Sequence, residues 1–258
     1  VFIYQNIYHM TSQDRFKLIQ RLKTKKGRTK EKLYIIEGSR CVKSYINNSA
    51  LVKEIFLGQT FVKTDNKIIE LCEKNRILFS IIPDKEIKNL SDTITPSGVF
   101  GICELKSGGS LDLESKRWLY LYKISDPGNL GSILRAAAWF NIKNVALSNG
   151  STDPFSPKVV RSAVGAHTFL NIHRNVDYNI YFGHKYLLIG ADQNGINKIE
   201  NTDFNKKLVL VLGGESKGLD KIIKNKLNKI ISIKKIGHGE SLNVAIAGSI
   251  LMNEISIK

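Results

Sequence analysis

The sequence predicts an α/β protein in two domains, a small N-terminal α/β sandwich and a larger C-terminal domain built on a parallel sheet. Three observations predict it. Short apolar runs that read as strands alternate along the chain with stretches whose apolar residues recur at helical spacing. The polar stretch Lys106–Lys116 carries Ser107-Gly108-Gly109-Ser110 and has no apolar period, so it reads as a linker between residues 1–105 and residues 117–258. The cores Leu187–Ile189 and Leu208–Leu212 are apolar at every position, as strands covered on both faces require.

The elements follow in order. From Ser12 to Lys26, Phe16, Ile19 and Leu22 fall at helical spacing behind a serine cap. Arg15, Lys17, Arg21, Lys23, Lys25 and Lys26 surround them, which makes a basic amphipathic helix. Next come strand Leu33–Glu37, helix Ser39–Asn47, strand Lys53–Leu57, helix Thr64–Lys74, strand Ile77–Ile82, short helix Asp84–Leu90 and strand Val99–Leu105. Beyond the linker lie strand Trp118–Ile124, helix Leu130–Phe140, strand Val145–Ser148, a loop punctuated by Pro154 and Pro157, and a helix near Val159–Val164. Strands Tyr186–Ala191 and Leu208–Leu212, helix Leu219–Leu227, strand Lys229–Ile233 and a helix from about Leu242 complete the chain.

Charge narrows the partners. Among 258 residues, 39 Lys and Arg against 23 Asp and Glu give +16 at neutral pH, a field that attracts polyanions and puts nucleic acid first. Cys41, Cys72 and Cys103 stand alone among apolar neighbours, without a C-x-x-C pair, and read as reduced core residues. His9, His167, His173, His184 and His238 are scattered, so no structural metal is expected. No apolar run approaches the roughly 20 residues of a membrane helix, and Val1–Met10 lacks the pattern of a secretory signal. A cytoplasmic enzyme is the expectation.

Three loops sit where an α/β fold places ligands, at the carboxyl ends of strands that lead into helices. In Ile124-Ser125-Asp126-Pro127-Gly128-Asn129, Pro127-Gly128 turns the chain and Asn129 is a candidate helix cap, with Arg135 one to two turns on. In Leu212-Gly213-Gly214-Glu215-Ser216-Lys217-Gly218, paired glycines let the backbone approach a ligand, but the pattern matches no phosphate loop and Glu215 would repel a pyrophosphate. In the third, Ser241 or a neighbour caps a helix whose face of Ala245, Gly248 and Ser249 is too small for an ordinary core. A helical glycine costs about 1 kcal/mol relative to alanine, so that face must admit a close approach.

Taken together, DPGNLGS-x-x-R, LGGE-x-x-GL and ISI followed by G-x-x-x-SLN resemble the three signature motifs of the SpoU (TrmH-like) family of the SPOUT superfamily, over Trp118–Ile257. Ser156-Pro157-Lys158 with Val159, Val160, Arg161 and Gly165-Ala166 resembles that family's intermediate segment. The resemblance implies a SPOUT domain with a C-terminal trefoil knot, a homodimer, and S-adenosyl-L-methionine as cofactor for methylation of an RNA ribose 2′-hydroxyl. Carried over by position, Gly213, Ile233 and Leu242 contact the cofactor. Asn129, Arg135, Glu215, Ser241 and Asn243 line the catalytic cleft.

The N-terminal domain resembles a ribosomal-protein-like RNA-binding domain, with Lys23, Lys25, Lys26 and Arg28 as its candidate RNA contacts. It favours ribosomal over transfer RNA by family analogy. Ser216, Lys234, Ala138 and Asn141 depart from the family pattern. Two readings compete with an RNA methyltransferase. One is a catalytically inactive RNA-binding or ribosome-assembly protein of the same fold, against which the retained polar set argues. The other is a nucleotide-dependent enzyme, which the missing phosphate loop disfavours.

Overall fold

The computed structural model describes residues 12–48, 51–106, 109–196, 205–215 and 218–257. The expectation of no signal over Val1–Met10, the linker residues Ser107 and Gly108, and the departure at Ser216 lie outside these. In chain order the elements are α1 (Ser12–Leu22), α2 (Lys25–Glu31), β1 (Leu33–Glu37), α3 (Ser39–Asn47), β2 (Val52–Gly58), α4 (Gln59–Thr64), α5 (Lys67–Lys74), β3 (Leu78–Ile82), α6 (Asp84–Leu90) and β4 (Val99–Glu104). They continue with β5 (Arg117–Tyr122), α7 (Pro127–Trp139), β6 (Asn144–Leu147), α8 (Pro157–Ala163), β7 (Asn171–His173), β8 (Leu187–Ala191), β9 (Leu208–Gly213), α9 (Lys221–Lys224), β10 (Lys229–Ile231) and α10 (Val244–Ser256).

The chain divides into two compact units, Val1–Ser107 with Phe155–Thr168, and Gly108–Pro154 with Phe169–Lys258. In the first, a four-stranded sheet runs β1-β4-β2-β3, with β4 antiparallel to both neighbours and β2 parallel to β3. Side chains alternate across it. Ile35, Phe56, Phe100 and Ile102 face Ile19 and Leu22 of α1 and Ile87 and Leu90 of α6. Ile36, Ile55, Leu57 and Val99 face Val42, Tyr45 and Ile46 of α3 and Ile68 and Cys72 of α5.

The expected C-terminal domain, residues 117–258, is not continuous: Phe155–Thr168 lies by contact with the first unit. Helix α8 packs on β1, and its Val160 is buried in the α3 side of that core. Arg161 Nη1 donates to Glu37 Oε2 at 2.7 Å, while Ser91 and Thr93 hydroxyls donate to the other carboxylate oxygen. Glu37 is buried, so these partners offset its desolvation.

Several sequence boundaries move for local reasons. The first helix stops at Leu22 instead of Lys26 because Thr24 Oγ1 accepts from Gly27 N (3.0 Å) and starts α2. The expected helix Thr64–Lys74 starts only at Lys67, as α5, because Asp65 has an extended backbone and its carboxylate accepts from Lys67 N; Thr64 instead ends α4, a helix not expected from the sequence. The expected helix Leu219–Leu227 shrinks to α9, capped by Asp220 through Ile223 N. Strand β7 was missed because three residues, Asn-Ile-His, carry no readable alternation.

In the second unit six strands run β10-β8-β9-β5-β6-β7, all parallel. Trp118, Tyr120, Val209 and Val211 fill one face with Tyr181, Tyr186 and Leu219. Helix α10 packs on α7 and β9. A Cβ added at Gly248 would stand 2.6 Å from Leu212 Cδ1, so the small face read from the sequence is what lets α10 lie against β9.

Removing one partner of a buried ion pair leaves the other charge desolvated. Arg161→Ala should therefore cost about 3–5 kcal/mol in urea unfolding, and adding Glu37→Leu should recover most of it. A loss within 0.5 kcal/mol of zero, or no recovery in the double variant, contradicts the assignment.

Candidate active site

Strands β5 and β9 are adjacent and parallel, and Tyr122 pairs in register with Gly213. Two loops therefore leave the carboxyl edge of the sheet side by side. In the first, Asp126 Oδ1 accepts from Asn129 N at 2.7 Å, and Pro127 occupies the opening position of α7, where no N–H is needed. The cap is Asp126 and not Asn129 as expected, which leaves the Asn129 side chain free to reach across to the neighbouring loop.

That loop is shaped by its glycines. A Cβ at Gly214 would lie 2.2 Å from Lys123 O, and one at Gly213 would lie 2.4 Å from Gly218 C. Gly214 N donates to Tyr122 O at 2.9 Å and Gly218 N to Gly214 O at 2.8 Å, so the loop folds back tightly on the end of β5. Glu215 then accepts from Asn129 Nδ2 at 2.8 Å and from Ser125 Oγ at 3.2 Å. A carboxylate at the amino end of α7 also meets the positive pole of that helix.

The third loop joins through Asn243, which takes the cap expected of Ser241 or its neighbour. Its Oδ1 accepts from Ala245 N (2.9 Å) and Ile246 N (3.4 Å), and its Nδ2 donates to Asn129 Oδ1 at 2.9 Å. The polarity of the whole chain follows. Helix α10 needs an acceptor, so the Asn243 NH₂ must point at Asn129; the Asn129 oxygen is then taken, so its NH₂ must point at Glu215. Aspartate at 129 would remove that donor and set two carboxylates together.

The structure thus brings Asn129, Glu215 and Asn243 into one hydrogen-bonded chain. Arg135 lies six residues along α7 from Asn129, exposed and without a hydrogen bond or ion pair among the described residues. Ser241 is exposed two residues before the cap. Gly213 ends β9, Ile233 follows β10 by two residues, and Leu242 is 50% exposed beside Asn243. Of the departures from the family pattern, Lys234 is exposed, Ala138 is half-buried, and Asn141 takes a left-handed φ of 57°, which asparagine tolerates well.

Sequence reading missed three participants. Ser125 is a second donor to Glu215, and Asp126 is the cap, for which Asp before Pro was the available signal. The third is Asp220, which accepts from the Tyr122 hydroxyl and pairs with Lys123 Nζ at 3.1 Å. The Tyr122 hydrogen bond is the main cause that holds the Asp220 carboxyl down at about 2, with Ile223 N and Lys123 adding to it. Tyr122 and Asp220 lie 98 residues apart, so no local pattern announces the pair.

In the first unit Lys25 and Lys26 are exposed, while Lys23 pairs with Asp92 at 2.7 Å. Arg28 departs from the expected RNA surface: it is buried, and Nη1 donates to Leu22 O (2.8 Å) and Lys23 O (2.9 Å), closing the end of α1. Among the described residues no cluster of three potential metal ligands occurs, and no helix is long and apolar enough to cross a membrane.

Comparison with known proteins adds the relationships. Residues 116–253 match the SpoU rRNA Methylase family, and residues 13–101 match the MRM3-like substrate binding domain. Over 90% of the chain and 92% of the relative, the sequence is 29% identical to a Bacillus subtilis protein named 23S rRNA (guanosine(2553)-2′-O)-methyltransferase RlmP. It is 31% identical, over 64% of the chain, to the Xenopus laevis rRNA methyltransferase 3, mitochondrial, and covers 40% of that longer protein. A Porphyromonas gingivalis structure described as a putative RNA methyltransferase of the TrmH family superposes with a TM-score of 0.78 at 26% identity, covering 96% of this chain and 99% of that one. The Streptomyces viridochromogenes SpoU methyltransferase AviRb, solved with AdoMet, shares the fold at a TM-score of 0.83 and 21% identity, covering 96% and 98%.

The depressed Asp220 carboxyl gives a pH prediction. Its contribution to stability is present above the ordinary carboxylate value near 4 and is lost as pH falls from there toward about 2. Tyr122→Phe should move the Asp220 midpoint upward in a carbonyl-detected NMR titration. An unmoved midpoint excludes Tyr122 as the principal donor.

Proposed function

Since the chain belongs to the SpoU rRNA methylase family, we propose that it methylates a ribose 2′-hydroxyl of ribosomal RNA with S-adenosyl-L-methionine as cofactor. The observation that supports this most is the chain Glu215–Asn129–Asn243, which ties together the three loops that carry the family's signature residues. The Bacillus subtilis relative, aligned over nearly its full length, is named as a 2′-O-methyltransferase of 23S rRNA. The match of residues 13–101 to a substrate binding domain supports ribosomal over transfer RNA.

The residues suit the cofactor. The Gly213-Gly214 backbone is bare of side chains at the strand end, and Leu242 offers an apolar side chain half open to solvent. Gly213, Ile233 and Leu242 would hold it, largely through backbone groups. When bound, the cofactor supplies an electrophilic methyl on sulfur, whose neutral thioether leaves without acid assistance. The remaining tasks are to orient the ribose hydroxyl in line, about 3 Å from the methyl carbon, and to accept its proton.

Arg135, an exposed cation, pairs with the phosphate of the target nucleotide and orients its hydroxyl, which loses its proton late, to solvent water. Ser241 and Asn243 hold the ribose and the loop, and Glu215 anchors Asn129. Residues 117–258, with the trefoil knot the family resemblance implies, carry this reaction. Residues 1–105 capture RNA through Lys25 and Lys26, assisted by Lys23, with Arg28 acting through the helix end it closes. The enzyme works as a cytoplasmic homodimer. Exposed Trp139 (84%) on α7 and Ile246 (54%) and Ile250 on α10, two helices that pack together, offer an apolar surface for the second copy.

Titration calorimetry with S-adenosylhomocysteine tests the reading. The wild type should bind, and Leu242→Trp, an exposed position that leaves the core intact, should weaken binding at least about 100-fold. Absence of wild-type binding would replace the proposal with a non-catalytic RNA-binding protein.

A further inference from the structure

We propose that a cleft in the first unit, between α1, α6 and the ends of β2 and β3, receives one unpaired nucleobase of the RNA, with guanine the base that fits its acceptors. This rests on the RNA-capturing role given above to residues 1–105. The cleft measures about 260 Å³ and lies wholly within the segment matched to a substrate binding domain. It falls below the roughly 300–1,000 Å³ of pockets for drug-sized ligands, so it suits a single ring system better than a whole nucleoside cofactor.

Two of its accessible walls, the Phe16 ring and the Arg15 guanidinium, are of the kind that stack bases. Phe56 lies buried at the floor, and Phe16 is 41% exposed at the side. The Arg15 guanidinium stands 5.9 Å from the Phe56 ring centroid and is held there by Glu54 at 3.5 Å, which also accepts from Ser80 Oγ. Aromatic rings and arginine planes are the surfaces on which unpaired bases stack, whatever their sequence.

The rim supplies edge recognition. Gln13, Glu86 and Asn89 line the cleft and are exposed, and none of their side chains makes a hydrogen bond among the described residues. An ionised Glu86 only accepts, so it repels a phosphate and selects an edge that donates. Guanine alone among the standard bases presents two adjacent donors, N1–H and N2–H, to match a carboxylate's two oxygens. The Gln13 and Asn89 amides then have donors for its O6. Lys25 and Lys26, exposed at the start of α2 in the same unit, supply the positive charge that favours a polyanion over a protein segment as occupant.

The test is fluorescence-anisotropy titration of the full chain with unstructured RNA strands of about twelve nucleotides, all-uridine or with one central guanosine. The wild type should prefer the guanosine strand. Phe16→Ala should weaken binding to it about tenfold, with the slope of log affinity against log salt unchanged, since no phosphate contact is lost. Phe16→Tyr should restore binding, and Glu86→Gln should abolish the guanosine preference. Lys25→Glu/Lys26→Glu should instead flatten the salt slope.

If Phe16→Ala and Glu86→Gln bind both strands as the wild type does while the lysine variant binds weakly, the nucleobase site is refuted and RNA capture stands. Weakening by Phe16→Ala without a guanosine preference refutes the guanine assignment. If the wild type binds neither strand, the RNA-capturing role itself fails.

Discussion

The site depends on the direction in which two asparagine amides point. Helix α10 is capped by Asn243, whose Oδ1 accepts from the N–H groups of Ala245 and Ile246. Everything upstream of that cap is then determined, because each amide has one acceptor end and one donor end. Asn243 donates to Asn129, Asn129 donates to Glu215, and Glu215 has Ser125 as its second donor. Three loops that are far apart in sequence, 114 residues between Asn129 and Asn243, are thereby set in one arrangement by backbone demands at a helix end. The same logic explains why the first loop caps with Asp126: a capping Asn129 would be unable to serve the network.

The parallel sheet supplies the stage for this arrangement. Strands β5 and β9 end in register, so their loops start as neighbours, and the bare backbone of Gly213-Gly214 lets the second loop press onto Lys123 O. Gly248 lets α10 lie on Leu212 of β9, which brings its cap to the same sheet edge. The N-terminal unit has its own constraint. The buried Glu37 carboxylate accepts from Arg161 of α8 and fixes that segment of chain to β1, although the segment is flanked in sequence by strands of the other unit. The two units are therefore linked by the chain at more than the linker alone.

Much of this was legible from residue patterns. Continuous apolar runs such as Leu208–Leu212 announce a sheet buried on both faces, and the small residues of the last helix announce a close approach, which Leu212 makes. Asn129, Glu215 and Asn243 were assigned to the cleft only through the family resemblance that the three loops carry together, since each loop alone reads equally well as a capped helix or a tight turn. What escaped was long-range or short. The Tyr122–Asp220 bond spans 98 residues, β7 has three residues, and Arg161 and Glu37, paired within the first unit, stand 124 residues apart. Arg28 misled for another reason: a basic side chain in a basic run looks solvated until a helix end is found to need its donors.

On the proposed function Arg135 orients a ribose hydroxyl for methylation, and the Glu215–Asn129–Asn243 chain holds together the loops that receive it. The direct measurement is incubation of ribosomal RNA with the protein and labelled S-adenosyl-L-methionine, followed by partial alkaline hydrolysis, because a 2′-O-methyl group blocks cleavage at its own nucleotide. The wild type should leave one alkali-resistant position carrying the label, and Arg135→Lys should lose it. Label on a base with no alkali-resistant position, or full turnover by Arg135→Lys, would contradict the proposal.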